Sequence, residues 1–157
     1  MKEDGITLIE LIVVVTIIGI LAIALGFSFQ GWIGGYRVES QVKEMYVDLM
    51  NARTRAMQRN IAHFVLVTAD NYQILEDTNG NGAADIGTDT NVVFTGTKPL
   101  QYPSLSTVTV TLDTGGLVSN DTIQFNIGTN NPDYDCIVLA FTRINIGRWE
   151  SGNCVAR

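Results

Sequence analysis

Basic residues, histidine and cysteine are all scarce in this chain. Its 157 residues hold 10 Lys and Arg against 16 Asp and Glu, with one histidine and two cysteines. Between Asp70 and Asp135 there are nine acids and Lys98 is the lone base. A nucleic-acid-binding domain needs the reverse balance on its exposed face, so the composition argues against nucleic acid as a partner. The single histidine, His63, has no second histidine or nearby cysteine, and no zinc-ligand spacing occurs. It stands in an apolar stretch and reads as a half-buried structural residue. No Ser/His/Asp set and no phosphate-cradling glycine loop appears, so the chain offers no enzyme signature. The Asp113-Thr114-Gly115-Gly116 fragment reads as a turn.

A second absence is local. From Leu11 to Phe29 there is no charged residue, and Thr16 and Ser28 are the polar ones. An α-helix rises about 1.5 Å per residue, so about 20 apolar residues cross a bilayer core. The run is rich in Ile and Val, which favour strands in water. In lipid the backbone must satisfy its own hydrogen bonds, so a single segment there is a helix. The run exceeds a signal-peptide core, and no small-residue cleavage site follows it. Glu10 stands at its edge, flanked by Ile6, Leu8 and Ile9. A carboxylate at membrane depth costs a few kcal/mol and is normally paired and functional. The alternative is a carboxylate resting at the headgroup level.

The residues Gly5-Ile6-Thr7-Leu8-Ile9-Glu10 resemble the processing site of type IV prepilins and pseudopilins. In that family a short leader ends in Gly, a peptidase cuts after it, and the new N-terminus is methylated. The fifth mature residue is Glu, and an apolar helix follows. The resemblance therefore implies a leader over 1–5, cleavage between Gly5 and Ile6, N-methylation of Ile6, and a filament-assembly role for Glu10. Cleavage creates a cationic N-terminus, which can neutralise Glu10 of a neighbouring subunit in an apolar bundle. Ile6 stands where the family usually has Phe or Met, and no proline lies near Phe27. The implied partners are the prepilin peptidase, the inner membrane and other pilin or pseudopilin subunits. The implied location is a single-pass inner-membrane form, then a periplasmic or extracellular filament.

Beyond the apolar run, Trp32 and Tyr36 suit a bilayer interface. The glycines 31, 34 and 35 lower helix propensity by about 1 kcal/mol each, which suggests a flexible or bent joint, with the helix either broken or continuing through it; an ordinary membrane-boundary stretch is the equal alternative. From Arg37 to Asn60 the residues Val38, Val42, Met45, Leu49, Ala52 and Ala56 recur every three or four positions. They form one apolar stripe, expected to pack on the domain's own sheet. Glu39, Lys43, Asp48, Arg55 and Arg59 occupy the other face, and Asn60 is the expected stop.

The pattern then changes to strands, expected over 62–69, 72–75, 92–95, 108–112, 122–127, 136–141 and 143–146. Turns are expected at Asp70-Asn71, Gly115-Gly116, Asn130-Asn131-Pro132 and Gly147. The expected class is α+β: a long N-terminal helix on a mostly antiparallel sheet. Its parts are the leader 1–5, a transmembrane or filament-core helix 6–30, an amphipathic second half 31–60, and a β-rich domain 61–157. The segment before the first strand, and Ile137 to Trp149, loosely resemble the GspH/FimT group of minor pseudopilins and pilins. Some of that group carry Gly-Arg-x-Arg near the C-terminus. Here Gly147-Arg148-Trp149-Glu150 has an acid at the last position, which argues against DNA.

Asp77, Asn79, Asn81 and Asp85 are spaced like the oxygen ligands of a calcium loop, with Gly82 at the sharp turn and the Ala83 carbonyl at position seven. Position twelve is Thr88 rather than the usual Glu, so any affinity would be weak. A Gly/Asn-rich hairpin loop is the other reading. No other cofactor is expected. Cys136 and Cys154 both lie outside the apolar run. In an exported domain they read as a disulfide that ties down a polar tail, with free thiols as the alternative.

Overall fold

The computed structural model describes residues 6–91 and 96–157, the side chains of 24–31 excepted. The expected strand over 92–95 and the leader 1–5 lie outside the described residues.

One helix, α1, runs over Leu8–Arg59. At about 1.5 Å per residue it is about 78 Å long. Thr7 caps it in an extended conformation, its hydroxyl accepting from the Glu10 amide. Threonine followed three residues later by glutamate is a helix-start signature. The helix ends at Asn60, which takes a left-handed conformation at φ 55°, while its amide and that of Ile61 both donate to the Ala56 carbonyl. The expected joint around glycines 31–35 is a continuous part of this helix.

Among the described residues nine strands follow: β1 (His63–Val67), β2 (Asn71–Glu76), β3 (Thr90–Asn91), β4 (Lys98–Pro99), β5 (Val108–Leu112), β6 (Asp121–Gln124), β7 (Cys136–Ala140), β8 (Arg143–Glu150) and β9 (Asn153–Ala156). They form two antiparallel sheets rather than one. The first has the order β3-β2-β1-β5, with β4 also paired to β2. The second has the order β6-β7-β8-β9. Single bridges from Leu112 to Val118 and from Ser104 to Phe125 lead from one sheet toward the other.

The helical stripe is the centre of the core. Val38, Val42, Met45, Leu49, Ala52 and Ala56 are each 0% exposed. They meet Val65, Val67, Ile74, Val110 and Leu112 of the first sheet, and Ile123, Phe125, Ile137 and Leu139 of the second. In β5, Val110 and Leu112 are buried while Thr109 is exposed, the expected alternation. Burying an aliphatic side chain contributes roughly 1.5–3 kcal/mol, so this stripe is the principal clamp between helix and sheets.

The strand ends shift by a residue or two at most places, and the larger differences from the sequence expectation lie at β6, at Gly147 and in the tail. β6 stops at Gln124 because Phe125 turns to bridge Ser104. Gly147 is no turn but lies inside β8. A side chain there would run into the Val155 carbonyl, its Cβ only 2.8 Å from the carbonyl carbon and 3.0 Å from Cys154 Sγ. The reversal comes later, at Ser151-Gly152, both with positive φ (51° and 89°). Two such residues make the tight turn that suits a hairpin's twist. The tail thus forms β9 against β8.

Candidate functional site

The N-terminal half of α1 sets its side chains outside the globular domain. From Ile6 to Ile23 every residue is exposed, the large apolar ones by 50% at Val14 to 76% at Ile6 and Leu8. A contiguous apolar surface of this kind marks a contact with lipid or protein. Thr16 returns its hydroxyl proton to the Ile12 carbonyl at 2.7 Å, which leaves the face with little free polarity. Among the described residues no helix is long and apolar enough to cross a membrane.

Glu10 stands on this surface. With Ile6, Leu11 and Val14 it borders an apolar hollow of about 200 Å³. Its amide is held by Thr7 Oγ1 at 3.3 Å, and its side chain is exposed. A carboxylate in the first turn of a helix meets the positive end of the helix dipole. Gly5, the expected cleavage residue, lies outside the described residues.

Where the helix enters the domain, the 128–134 loop lies against it. The Asn130 side chain fills the space beside Gly34, and the Asn131 carbonyl stands 3.4 Å from where a Gly35 Cβ would be. Asn130 Nδ2 donates to the Ile127 carbonyl at 2.9 Å, and the Asp133 amide donates to Glu39 Oε1 at 2.9 Å. Lys43 sits 5.0 Å above the Tyr134 ring and 3.3 Å from Glu39. The two glycines therefore give room to a neighbour; in the sequence they read as looseness.

A polar cluster unforeseen in the sequence lies on the next turns. The Tyr72 hydroxyl donates to Asp48 Oδ2 at 2.6 Å, and Lys98 Nζ reaches the same oxygen at 2.7 Å and Glu44 at 2.8 Å. Burial, and then the Asp48 carboxylate, push the Tyr72 hydroxyl well above its ordinary value. For Lys98, burial pulls downward, but the hydrogen bonds and charges of Asp48 and Glu44 outweigh it, and the ammonium is raised. In the sequence Lys98 stands out as the lone base of a long acidic stretch, but the acids it meets lie on the helix, about 50 residues earlier.

The Asp77–Asp85 loop is closed by its own hydrogen bonds. Asp77 accepts from the amides of Gly80, Asn81 and Gly82 at 2.8, 3.2 and 2.9 Å. The Asn79 and Asn81 amide nitrogens both donate to Asp85 Oδ2, which holds that carboxyl below its ordinary value. The Asn81 side-chain oxygen accepts from the Ala83 amide. Asp89 accepts from the amides of Thr78 and Asp85. Among the described residues no group of three or more His, Cys, Asp or Glu is placed to hold a metal ion.

Cys136 and Cys154 form a disulfide with Cα atoms 6.0 Å apart, joining β7 to β9 across β8. His63 is fully buried, not half-buried, because it shares the core-facing side of β1 with Val65 and Val67. Its Nδ1 lies 3.0 Å from the Ile61 carbonyl, and its Nε2 has no hydrogen-bond partner among the described residues. At Asp113 to Gly116 the chain makes the expected turn, the Gly116 amide donating to the Asp113 carbonyl. Arg148 donates to Asn131, and Arg157 pairs with Glu150.

Residues 1–26 match the family model described as the prokaryotic N-terminal methylation motif. No curated protein and no solved structure matches the chain.

Proposed function

We propose that this chain is a structural subunit of a filament of the type IV pilus or type II secretion pseudopilus kind. One observation carries the reading. The methylation motif over residues 1–26 coincides with a helix half whose apolar side chains from Ile6 to Ile23 are all exposed, and that half is continuous with one clamped into a sheet domain. A surface left bare in the single chain is what a lipid bilayer, and then a bundle of like helices, would cover.

In this proposal a prepilin peptidase cuts between Gly5 and Ile6, Ile6 is methylated, and the helix over 6–30 anchors the chain in the inner membrane. It then enters the filament core beside other subunits, in the periplasm or beyond. Glu10 pairs with the cationic N-terminus of a neighbour. The chain has a structural and no enzymatic role. Its finer place is a minor, GspH/FimT-like component, with a major pilin as the alternative. A DNA-uptake role is disfavoured: Arg148 and Arg157 are engaged with Asn131 and Glu150, and the domain is acidic. Calcium at Asp77, Asn79, Asn81, the Ala83 carbonyl and Asp85 is a separate element of the proposal, supported by the alternation of oxygen-bearing residues alone. A plain turn held by Asp77 is its rival.

The test is Glu10→Ala in cells that build the filament. The expected result is a folded, membrane-inserted chain that fails to enter filaments. Incorporation at the wild-type level would remove the pairing role.

A further inference from the structure

Trp32 and Tyr36 lie one turn apart on α1, 71% and 64% exposed, with ring centroids 6.5 Å apart and planes 28° from parallel. Beside them, Glu39 of the helix and Asn131 and Asp133 of the 128–134 loop complete a hollow of about 400 Å³. Glu39 is engaged by the Asp133 amide and by Lys43. The Asp133 carboxylate is exposed and, among the described residues, has no hydrogen-bond or ion-pair partner. Two aromatic faces and an unpaired carboxylate around one hollow suit a cation, and a soft, methylated or primary ammonium above all.

The height of the hollow indicates the source of that cation. Trp32 and Tyr36 stand about 36 and 42 Å along the helix from Leu8. A bilayer's hydrocarbon core is about 30 Å thick and about 40–45 Å with its headgroups. A helix whose apolar surface starts at Ile6 and enters the bilayer there, with the usual tilt, sets this hollow at the headgroup level. Anionic headgroups would be repelled by Asp133 and Glu39.

We propose that Trp32, Tyr36 and Asp133 form a binding site for the ammonium of a zwitterionic lipid headgroup, which fixes the height and rotation of the sheet domain over the membrane before assembly. The loop is already held to the helix by the Gly34 and Gly35 notch and by Glu39, so the site is preformed. This inference rests on the membrane-inserted form proposed above.

The test uses the full chain in nonionic detergent micelles, titrated with a phosphocholine-headgroup lipid and, in parallel, a phosphoglycerol-headgroup lipid. The readout is the indole N–H resonance of Trp32, with that of Trp149 as reference. The expected result is a saturable shift of Trp32 with phosphocholine alone, weakened about tenfold in Asp133→Asn and also weakened in Tyr36→Leu. Equal responses to both headgroups, or an unchanged response in Asp133→Asn, would overturn it. So would a carbodiimide cross-link from Asp133 to a basic side chain of a second copy in the absence of any headgroup response. A chain processed and inserted in cells but indifferent to headgroup would sink this site and leave the filament reading. An unprocessed chain that still responds in micelles would sink the filament reading and leave the site.

Discussion

The side chain of Asn130 occupies the place a Cβ on Gly34 would need, with Asn130 Cγ 2.8 Å from that position. Gly34 is a helical residue, where alanine is favoured by about 1 kcal/mol. The close approach outweighs that preference, because an added methyl must push Asn130 off the Ile127 carbonyl. Overpacking of this kind costs about 1–3 kcal/mol. We expect Gly34→Ala to lower the melting temperature of the full chain in detergent, and Asn130→Ala to recover most of the loss in the double variant. Additive losses would show that the two residues do not share this space.

The cluster of Tyr72, Asp48, Lys98 and Glu44 gives a pH dependence with a definite sign. Both Tyr72 and Lys98 are raised in the folded state. Such groups contribute stability that is fully present below their unfolded values, about 10 and 10.4, and is lost as pH rises past them. Unfolding followed by circular dichroism should therefore show stability falling above about pH 10. Tyr72→Phe should cost about 1.5–3 kcal/mol at neutral pH, the value of a hydrogen bond to a charged group, and flatten the alkaline decline. An alkaline decline as steep in Tyr72→Phe as in the wild type would remove Tyr72 from the account.

The disulfide from Cys136 to Cys154 spans a sequence separation of 18. For a loop of that size the chain-entropy model gives about 3 kcal/mol. Reduction should release β9 first, because it is a four-residue edge strand paired only to β8. Limited proteolysis should then cut within 151–157 in reduced protein and spare it in oxidised protein. Two titratable thiols per chain in protein purified without reductant would contradict the bond. Gly147→Ala, with the Val155 carbonyl in its way, should open the same strand even when the bond is intact.

Much of this was legible in the sequence, and what was missed has a common physical cause. The stripe from Val38 to Ala56 was legible because a helix's period is local, and Asn60 because a left-handed cap favours asparagine. The strands around Val65, Val110 and Leu139 showed in their β-branched composition. The division into two sheets did not, because it depends on β1 pairing with β5 across more than 40 residues. Gly34, Gly35 and Gly147 were misread for the same reason: each makes room for a distant neighbour, and sequence shows only the missing side chain. β9 was missed since Asn153 to Ala156 has little apolar character, though Ser-Gly before it was a hairpin cue. The Lys98 cluster was invisible because its acids lie on the helix, about 50 residues away.

Calcium is decided by linkage. If the Asp77–Asp85 loop binds it, millimolar calcium should raise the melting temperature of the full chain, since the ion binds the native state preferentially. Asp77→Ala should abolish the shift, whatever it does to the baseline. No shift, or the same shift in Asp77→Ala, would leave a turn whose Asp77 serves the amides of Gly80, Asn81 and Gly82.

The central claim is that the N-terminal helix is processed for assembly. Intact-mass and N-terminal fragment spectra of the protein isolated from its own cells test it most directly. The account predicts a chain beginning at Ile6 and carrying one N-methyl group. In Gly5→Leu it predicts the uncut precursor, still in the membrane. A wild-type protein that still begins at Met1 would contradict it.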